Sequence, residues 1–277
     1  MNLLFIGDIV GRPGRELVRV GLRGLVARHD VDLVIANGEN AAAGFGLTPD
    51  LARALFDYGV DILTSGNHIW DKKEVLDYIG GEPRLLRPAN YPASTPGRGA
   101  VVARARDGRP VGVLNLMGRV FMPATDDPFA VAGREIEALR REARVIFVDM
   151  HAETTSEKMA MGWHLDGRVT AVVGTHTHVQ TADERLLPKG TAFLSDAGMT
   201  GPHDSIIGMQ IEPSLARFLT AMPSRFEPAT ANPRLNGVLV AADPQTGRAT
   251  AITRVSHSHA ELEALTAEAH QAQTPAR

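Results

Sequence analysis

Short apolar runs alternate with amphipathic segments along the first third of the chain. Short runs bounded by polar or glycine positions are typical of buried strands, whereas apolar side chains at helical spacing are typical of helices. The pattern predicts a βαβαβα order, and Thr48 followed by Pro49 marks the start of its second helix. The strands are predicted over residues 3–6, 32–36 and 60–64, and the helices over residues 13–28, 49–58 and 71–78.

The remainder of the chain begins with a predicted β-hairpin. Two β-rich runs, residues 100–106 and 110–116, are joined at Asp107-Gly108, a dipeptide typical of tight turns. Residues 198–208 are predicted to form a glycine-rich loop whose backbone N–H groups could face a phosphate. Further helices are predicted over residues 130–143 and 157–163, and further strands over residues 145–149, 169–173, 191–195, 237–242 and 249–255.

This order of elements predicts a single α/β domain over residues 1–260. No repeat, low-complexity linker or shift of composition divides it, and its strands fit either one central mixed sheet or two stacked sheets flanked by helices. Residues 261–277 are rich in Ala, Glu and Gln. We expect them to form a C-terminal tail, a short helix or a frayed end, without chemistry of its own.

Composition excludes several classes of protein and several kinds of site. The 277 residues carry a formal net charge of −3 without a long run of one sign, so a surface for duplex DNA is not predicted. There is no cysteine, and any metal must therefore be bound by nitrogen and oxygen. No apolar run is long enough for a membrane span, and the first run stops at Gly7-Asp8 as a strand does and a signal peptide does not. We expect a cytoplasmic enzyme.

Residue types that bind metals directly follow five of the apolar runs. Because the carboxyl ends of strands in an α/β sheet face one crevice, side chains from several runs can meet there. The pair His176 and His178 is the strongest of these signals, since two histidines at a strand end are seldom needed for packing. The five sets are Asp8, Glu39 with Asn40, Asn67 with His68, His151, and His176 with His178.

Together these groups offer more donors than one tetrahedral ion requires. Two carboxylates, two amides and several imidazoles suit a pair of ions that share a bridging carboxylate, and Glu39 lies near the middle of the set. Each residue alone has a plainer interpretation: Asp8 as a turn former or helix cap, Asn40 as a backbone cap, and His68 as a satisfied loop histidine. Their ordered combination favours a binuclear metal centre.

The ordered blocks resemble those of calcineurin-like metallophosphoesterases. Within that superfamily they are similar to a bacterial group of 2′,3′-cyclic-nucleotide 2′-phosphodiesterases. Two departures from the general superfamily pattern concern the metals: Asp8-Ile9-Val10 stands in place of Asp-x-His, and Glu39 in place of Asp. The blocks that carry the resemblance are Gly-Asp-Ile-Val-Gly at 7–11, Asn-Gly-Glu-Asn at 37–40, Gly-Asn-His-Ile-Trp-Asp at 66–71, residues 149–158 and residues 174–183.

The resemblance implies a fold, a ligand set and a mechanism. The fold is a four-layer αββα sandwich, in which two mixed β-sheets are flanked by helices. A hydroxide that bridges two metals attacks phosphorus in line, and His68, which binds no metal, protonates the leaving group as general acid. Iron or manganese suits the mixed nitrogen and oxygen donors, and zinc is an alternative. The implied ligands are Asp8, Glu39, Asn40 and His178 for one ion, and Glu39, Asn67, His151 and His176 for the other.

Several functions remain open at the level of the sequence. The same centre would serve a phosphomonoesterase or nucleotidase, or a metal- and phosphate-binding regulatory protein with weak turnover. The substrate is expected to be a small cyclic nucleotide or an RNA end, and the protein a homo-oligomer that binds neither DNA nor a membrane. A second His-x-His, His257-Ser258-His259, follows no carboxylate-bearing strand end, and we interpret it as a decoy.

Overall fold

The computed structural model of the chain describes residues 1–273, which form two stacked β-sheets between layers of helices. The strands are β1 (Asn2–Ile6), β2 (Asp8–Ile9), β3 (Leu33–Asn37), β4 (Ile62–Thr64), β5 (Ala100–Arg104), β6 (Pro110–Met117), β7 (Val145–His151), β8 (Ala171–Thr175), β9 (Arg185–Leu186), β10 (Ala192–Leu194), β11 (Met199–Pro202), β12 (Pro233–Ala242) and β13 (Ala249–Ser258). The helices are α1 (Gly11–Arg28), α2 (Pro49–Tyr58), α3 (Val75–Ile79), α4 (Pro128–Leu139), α5 (Thr155–Leu165), α6 (Ile211–Thr220) and α7 (His259–Gln273).

Both sheets contain parallel and antiparallel pairs. In the first sheet the order is β2-β11-β12-β1-β3-β4, and β13 pairs with β12. Here β1, β3 and β4 are parallel, whereas β12 is antiparallel to β1. In the second sheet the order is β5-β6-β7-β8-β10-β9, with β6, β7, β8 and β10 parallel. The parallel strands within each sheet therefore end at one edge of that sheet.

Strands at the centre of both sheets are buried on both faces, as their continuous apolar runs predict. On β1, Leu3 and Phe5 belong to the core between the sheets, whereas Leu4 and Ile6 belong to the core beneath the helices. The ring of Phe5 lies against that of Phe147 on β7, with ring centroids 4.9 Å apart. This core fixes the two sheets against each other, so that groups at their edges keep defined separations.

Helices cover the outer face of each sheet. Leu17 of α1, Leu55 of α2 and Leu262 of α7 are buried against the first sheet, and Ile136 of α4 and Met161 of α5 against the second. The predicted four-layer αββα architecture with two mixed sheets is confirmed. Within residues 1–273, every helix is too short or too polar to span a bilayer.

Some local elements differ from the sequence prediction. The predicted loop over residues 198–208 contains β11, which pairs with β2 and β12, so the sheet already occupies much of its backbone. The predicted helix over residues 71–78 is shortened to α3, because turns and bends occupy residues 67–74. Helix α6 was missed, and side chains such as Phe218 and Leu219 on it are exposed.

Helix α7 packs on α1. Leu262 is fully buried, and the hydroxyl of Thr266 donates to the carbonyl of Val20 at 2.8 Å. Gly21 lies beneath Leu262, where a Cβ would overlap the leucine side chain. The domain boundary drawn between residues 260 and 261 stays a prediction, and residues 274–277 of the predicted tail lie outside the described residues.

Candidate metal centre

All eight predicted site residues lie where strands of the two sheets end. Contacts of 3.9 Å or less join them into one cluster that bridges the sheets. The first sheet contributes Asp8, Glu39, Asn40, Asn67 and His68, and the second contributes His151, His176 and His178.

Possible metal-binding atoms of Glu39, His151 and His176 all lie within 4.8 Å of one another, and Asn67 Oδ1 lies beside that of His151. Nε2 of His151 lies 3.0 Å from Asn67 Oδ1, 3.1 Å from Glu39 Oε1 and 3.1 Å from His176 Nδ1. Neighbouring ligand atoms around an octahedral ion with bonds of about 2.1 Å are separated by ~3 Å, which is the spacing of this set. The geometry therefore fits a divalent ion.

The chemistry of this set also requires a cation. The hydroxyl of Thr175 donates to Asp149 Oδ1 at 2.7 Å, so it accepts from Nδ1 of His151 at 2.9 Å and leaves the lone pair of a neutral ring on Nε2. Nε2 of His176 lies 3.0 Å from the carboxylate of Glu153, which only accepts, so Nδ1 of His176 also carries a lone pair. Without a proton or a metal, the lone pairs of two imidazoles, an amide and a carboxylate would face one another.

Without a metal ion, a proton on His151 would supply that cation. Burial lowers the pKa of His151, but the carboxylates of Glu39, Asp8 and Asp149 outweigh burial and raise it to about 9. Burial raises the pKa of Glu39, and the charge and hydrogen bond of His151 outweigh this and lower it to about 2. Burial and the charge of His151 together lower the pKa of His176 to about 3, which keeps that ring neutral. A metal ion can replace the proton, because metal-binding nitrogen must be deprotonated.

A second set of donors shares Glu39 with the first. Nδ2 of Asn40 donates to Glu39 Oε1 at 3.3 Å and lies 3.2 Å from His178 Nε2, which in turn lies 3.9 Å from Asp8 Oδ1. An amide NH2 group has no lone pair for a metal, so Asn40 would bind an ion through Oδ1 after its amide group turns over. Nδ1 of His178 donates to the carbonyl of Ile207 at 2.8 Å, which leaves Nε2 as an acceptor. Asp8 Oδ1 is buried and has no hydrogen-bond partner within the described residues. An unpaired buried carboxylate oxygen in this position fits a second cation.

His68 contacts this cluster through its backbone and directs its ring to other partners. Its N–H donates to Glu39 Oε2 at 3.0 Å, whereas its ring nitrogen Nδ1 lies 2.8 Å from Asp71 Oδ2. The ring also packs edge-on against Phe45, with centroids 5.1 Å apart, and the side chain is 30% exposed. Two neighbours thus orient the ring, and the side chain keeps part of its surface open to solvent.

The backbone is strained where it presents the histidine pair. His176 and His178 have φ values of 100° and 66°, in the left-handed region that residues other than glycine rarely adopt. A buried ion pair holds the loop between them: Lys158 Nζ donates to Asp196 Oδ2 at 2.7 Å. The same oxygen accepts from the backbone N–H and the hydroxyl of Thr177, at 3.2 and 2.7 Å. This pair fixes both histidines in a conformation that the loop alone would not favour.

A glycine explains how the third strand of the site approaches the histidine from the other sheet. A Cβ on Gly66 would overlap the ring of His151. Only a residue without a side chain allows Asn67 to come within hydrogen-bond distance of that ring. The glycine before Asn67 and His68 is therefore part of the site.

Comparison with known proteins decides the family. The sequence model of the YmdB-like protein family matches residues 4–255. The chain belongs to this family. It is 50% identical over 255 residues to the 2′,3′-cyclic-nucleotide 2′-phosphodiesterase of Bacillus subtilis (strain 168), a match that covers 92% of this chain and 96% of that protein.

Two solved structures are similar to this member of the YmdB-like family. One is a hypothetical protein from Thermus thermophilus, with a TM-score of 0.87 and 44% identity, covering 93% of this chain and 99% of that one. The other is a novel phosphatase from Mycoplasma pneumoniae, with a TM-score of 0.87 and 36% identity, covering 93% of each chain. These findings confirm the predicted family and the prediction that the chain is a phosphoesterase.

The sequence prediction missed residues that orient the predicted ligands. Asp196 lies two residues after the end of strand β10, just as the predicted ligands lie near the ends of other strands. A search for polar residues after apolar runs could therefore have found it. Asp71 comes three residues after His68, a spacing that places a side chain within reach of the histidine in a turn. Glu153, which pairs with His176, follows His151 by two residues; the sequence allows it a contact near the site, but capping of the next helix is the interpretation that the sequence favours.

Proposed function

We propose that the chain is a phosphodiesterase that depends on two metal ions and hydrolyses small cyclic nucleotides, with 2′,3′-cyclic nucleotides as its substrates. The observation that carries the proposal is the pair of buried donor sets that share Glu39. The relative from Bacillus subtilis, which is 50% identical, is named for this activity and supports the substrate class.

The two donor sets are proposed to bind one ion each. When bound, the two ions would lower the pKa of a water molecule and neutralise charge on the phosphoryl oxygens. Iron or manganese suits these nitrogen and oxygen donors, and zinc is an alternative. The first set is Asp8, Glu39, Asn40 and His178, and the second is Glu39, Asn67, His151 and His176.

His68 is proposed to be the general acid. Asp71 accepts from its Nδ1 at 2.8 Å, which leaves Nε2 for the substrate. As the bond between phosphorus and the 2′ oxygen breaks, His68 gives its proton to that oxygen, which leaves as a hydroxyl group. The contact of the His68 N–H with Glu39 keeps the acid at a fixed distance from both donor sets.

A phosphomonoesterase or nucleotidase that uses the same centre is the second candidate. The solved structure from Mycoplasma pneumoniae, 36% identical to this chain, is of a protein named as a phosphatase. Both reactions involve attack on phosphorus next to the same donors, so they differ in the leaving group and in the number of ester bonds. A substrate comparison separates them.

Turnover before and after metal removal tests the proposal. We expect the metal-loaded protein to hydrolyse bis-p-nitrophenyl phosphate and 2′,3′-cyclic AMP, to lose both activities on chelation and to regain them when manganese or iron is returned. Metal analysis should find two ions per chain. Faster turnover of 5′-AMP and p-nitrophenyl phosphate would favour the monoesterase, and turnover that survives complete chelation would contradict metal dependence.

The remaining expectations about substrates, partners and location stay predictions. They are an RNA end as an additional substrate, a homo-oligomeric assembly, a cytoplasmic location, and no binding to DNA or membranes. A metal- and phosphate-binding regulatory protein with weak turnover would be favoured if the purified protein bound both ions but hydrolysed none of these phosphate esters.

A further inference from the structure

The second sheet carries a cavity at the edge opposite to the candidate metal centre. The cavity has a volume of about 600 Å³ and lies between the end of α4, the residues before β7 and β8, and the turn from β12 to β13. Ala143 and Val169 are buried in its wall. Four arginines also line it: Arg140, Arg144, Arg168 and Arg248.

None of these four arginines has a carboxylate partner among residues 1–273. No carboxylate oxygen of that part of the chain lies within 4.0 Å of their guanidinium nitrogens. Elsewhere, Arg84 and Arg254 each contact a glutamate at 2.8 Å. Arg144 does have one backbone contact, because its Nη1 donates to the carbonyl of Gln245 at 2.6 Å. That contact aims the side chain without neutralising its charge.

Acidic residues near the cavity are engaged elsewhere. The carboxylate of Asp166 accepts from the backbone N–H groups of two residues before β10. The carboxylate of Asp243 accepts from a backbone N–H and a hydroxyl within its own turn. Glu142 lines a neighbouring groove together with Arg144 and Arg109, and its carboxylate lies more than 4.0 Å from the guanidinium nitrogens of the cavity arginines. The positive charge of the cavity is therefore left for an external anion.

Four like charges around a concave surface create a positive potential that is strongest inside the concavity, because the protein wall excludes water from one side. We propose that this cavity, the arginine cavity, binds a small anion with two or three phosphate groups, either an inorganic polyphosphate or the polyphosphate part of a nucleotide. Guanidinium groups bind phosphate oxygens in pairs, and each terminal phosphate carries roughly −1.5 to −2 charges. Two or three such groups match four arginines, and small-molecule sites commonly have volumes of about 300–1,000 Å³.

The arginine cavity is separate from the proposed site of hydrolysis. Strand β7 begins next to Arg144 and ends at His151, and a strand of this length spans ~20 Å. An anion in the cavity cannot reach the donor sets at the other end of the strand. The proposal therefore does not depend on the proposed phosphodiesterase activity.

A comparison of two double variants tests the proposal. The cavity variant is R168Q/R248Q, and the control is R23Q/R28Q, which removes two exposed arginines of α1 that also lack a carboxylate partner within residues 1–273. Calorimetric titration of the metal-loaded proteins with inorganic tripolyphosphate at fixed ionic strength measures Kd. We expect Kd at the cavity to rise about tenfold or more in the cavity variant only, because two charged hydrogen-bonding partners are lost. Any binding of tripolyphosphate at the candidate metal centre would be the same in the wild-type protein and in both double variants.

Turnover of bis-p-nitrophenyl phosphate should be the same in all three proteins, which also shows that the variants fold. ADP binding with the same dependence on Arg168 and Arg248 would identify a nucleotide as the source of the polyphosphate, and its absence would identify an inorganic anion. Equal Kd values in the two double variants would overturn the proposal. The proposal would also be overturned if the cavity bound a short single-stranded RNA without a terminal polyphosphate more tightly than it binds tripolyphosphate. The site would then recognise a phosphodiester chain.

Discussion

Charged side chains have different surroundings at the two ends of β7 and β8. Where the strands end, Asp8, Glu39 and His151 are completely buried; Glu39 and His151 lie 3.1 Å apart, whereas Asp8 Oδ1 has no hydrogen-bond partner within the described residues. Where the strands begin, Arg144 is exposed and Arg168 is half-buried, and neither has a carboxylate partner within residues 1–273. Buried charges require partners, whereas charges at the surface are solvated and tolerate their absence. The buried end therefore suits a resident cation, and the exposed end suits an anion that exchanges with solvent.

The largest expected effect concerns the residue that both donor sets share. Glu39→Gln keeps the shape of the side chain and removes its charge, so we expect the protein to bind neither ion firmly. Turnover of 2′,3′-cyclic AMP should then fall by ~10⁶-fold, the lower end of enzymatic acceleration. Metal analysis and kcat are measured on the same preparation. A variant with two ions and normal turnover would show that Glu39 is not the ligand that the two ions share.

The next effect separates the proposed acid from the metal-binding residues. His68→Gln is expected to lower kcat by about 10²–10⁴-fold, the range for one general acid, with the metal content unchanged. The matched control is His257→Gln, which alters the second His-x-His on β13 and should leave kcat unchanged. If His68→Gln instead lost its metal, the residue would belong to the donor sets and not to proton transfer.

The candidate metal centre could be predicted from the sequence because each of its residues lies within a few positions of the end of a short apolar run. Such runs are recognisable without a structure, and parallel strands bring their ends together. The four-layer fold followed from the family resemblance, since buried strands with alternating helices fit a single central sheet equally well. The strain at His176 and the buried Lys158–Asp196 pair could not be predicted, because both depend on how a loop of one strand packs on another element.

The arginine cavity could not be predicted for a different reason. Arg140 ends a helix, Arg168 lies in a loop and Arg248 follows a turn, so they share no spacing in the sequence. An exposed arginine that faces a cavity and one that faces open solvent have the same appearance in a sequence. Only the packing of the turn between β12 and β13 against the residues before β7 and β8 places them around one volume.

Stability should distinguish the two ends as clearly as activity does. Lys158→Met leaves Asp196 buried and without its cation, and breaking a buried pair in this way costs about 3–5 kcal/mol. Arg168→Gln removes a charge with no carboxylate partner among residues 1–273, and we expect a change within about 0.5 kcal/mol. Urea unfolding of both variants gives the two free energies. Similar losses of unfolding free energy in the two variants would contradict this difference between the two ends of the strands.

The smallest effect concerns Glu153, which contacts a predicted metal ligand and not the metal itself. Glu153 lies 3.0 Å from His176 Nε2, which fixes the ring so that Nδ1 faces the donor set. Partners of this kind commonly contribute about 10–100-fold to metal affinity, and Glu153→Gln should weaken manganese binding by that factor. The matched control is Glu137→Gln, on the exposed surface of α4.

Kinetics at two metal concentrations show whether Glu153 is a positioning residue. If it orients His176, saturating manganese should restore most of the kcat of Glu153→Gln, because the defect lies in occupancy of the donor set and not in the chemical step. A surface ion pair without this role would leave manganese affinity at the level of the Glu137 control, since exposed pairs contribute little. A loss of kcat that excess manganese does not restore would instead place Glu153 in contact with the substrate, on the side of the centre that faces solvent.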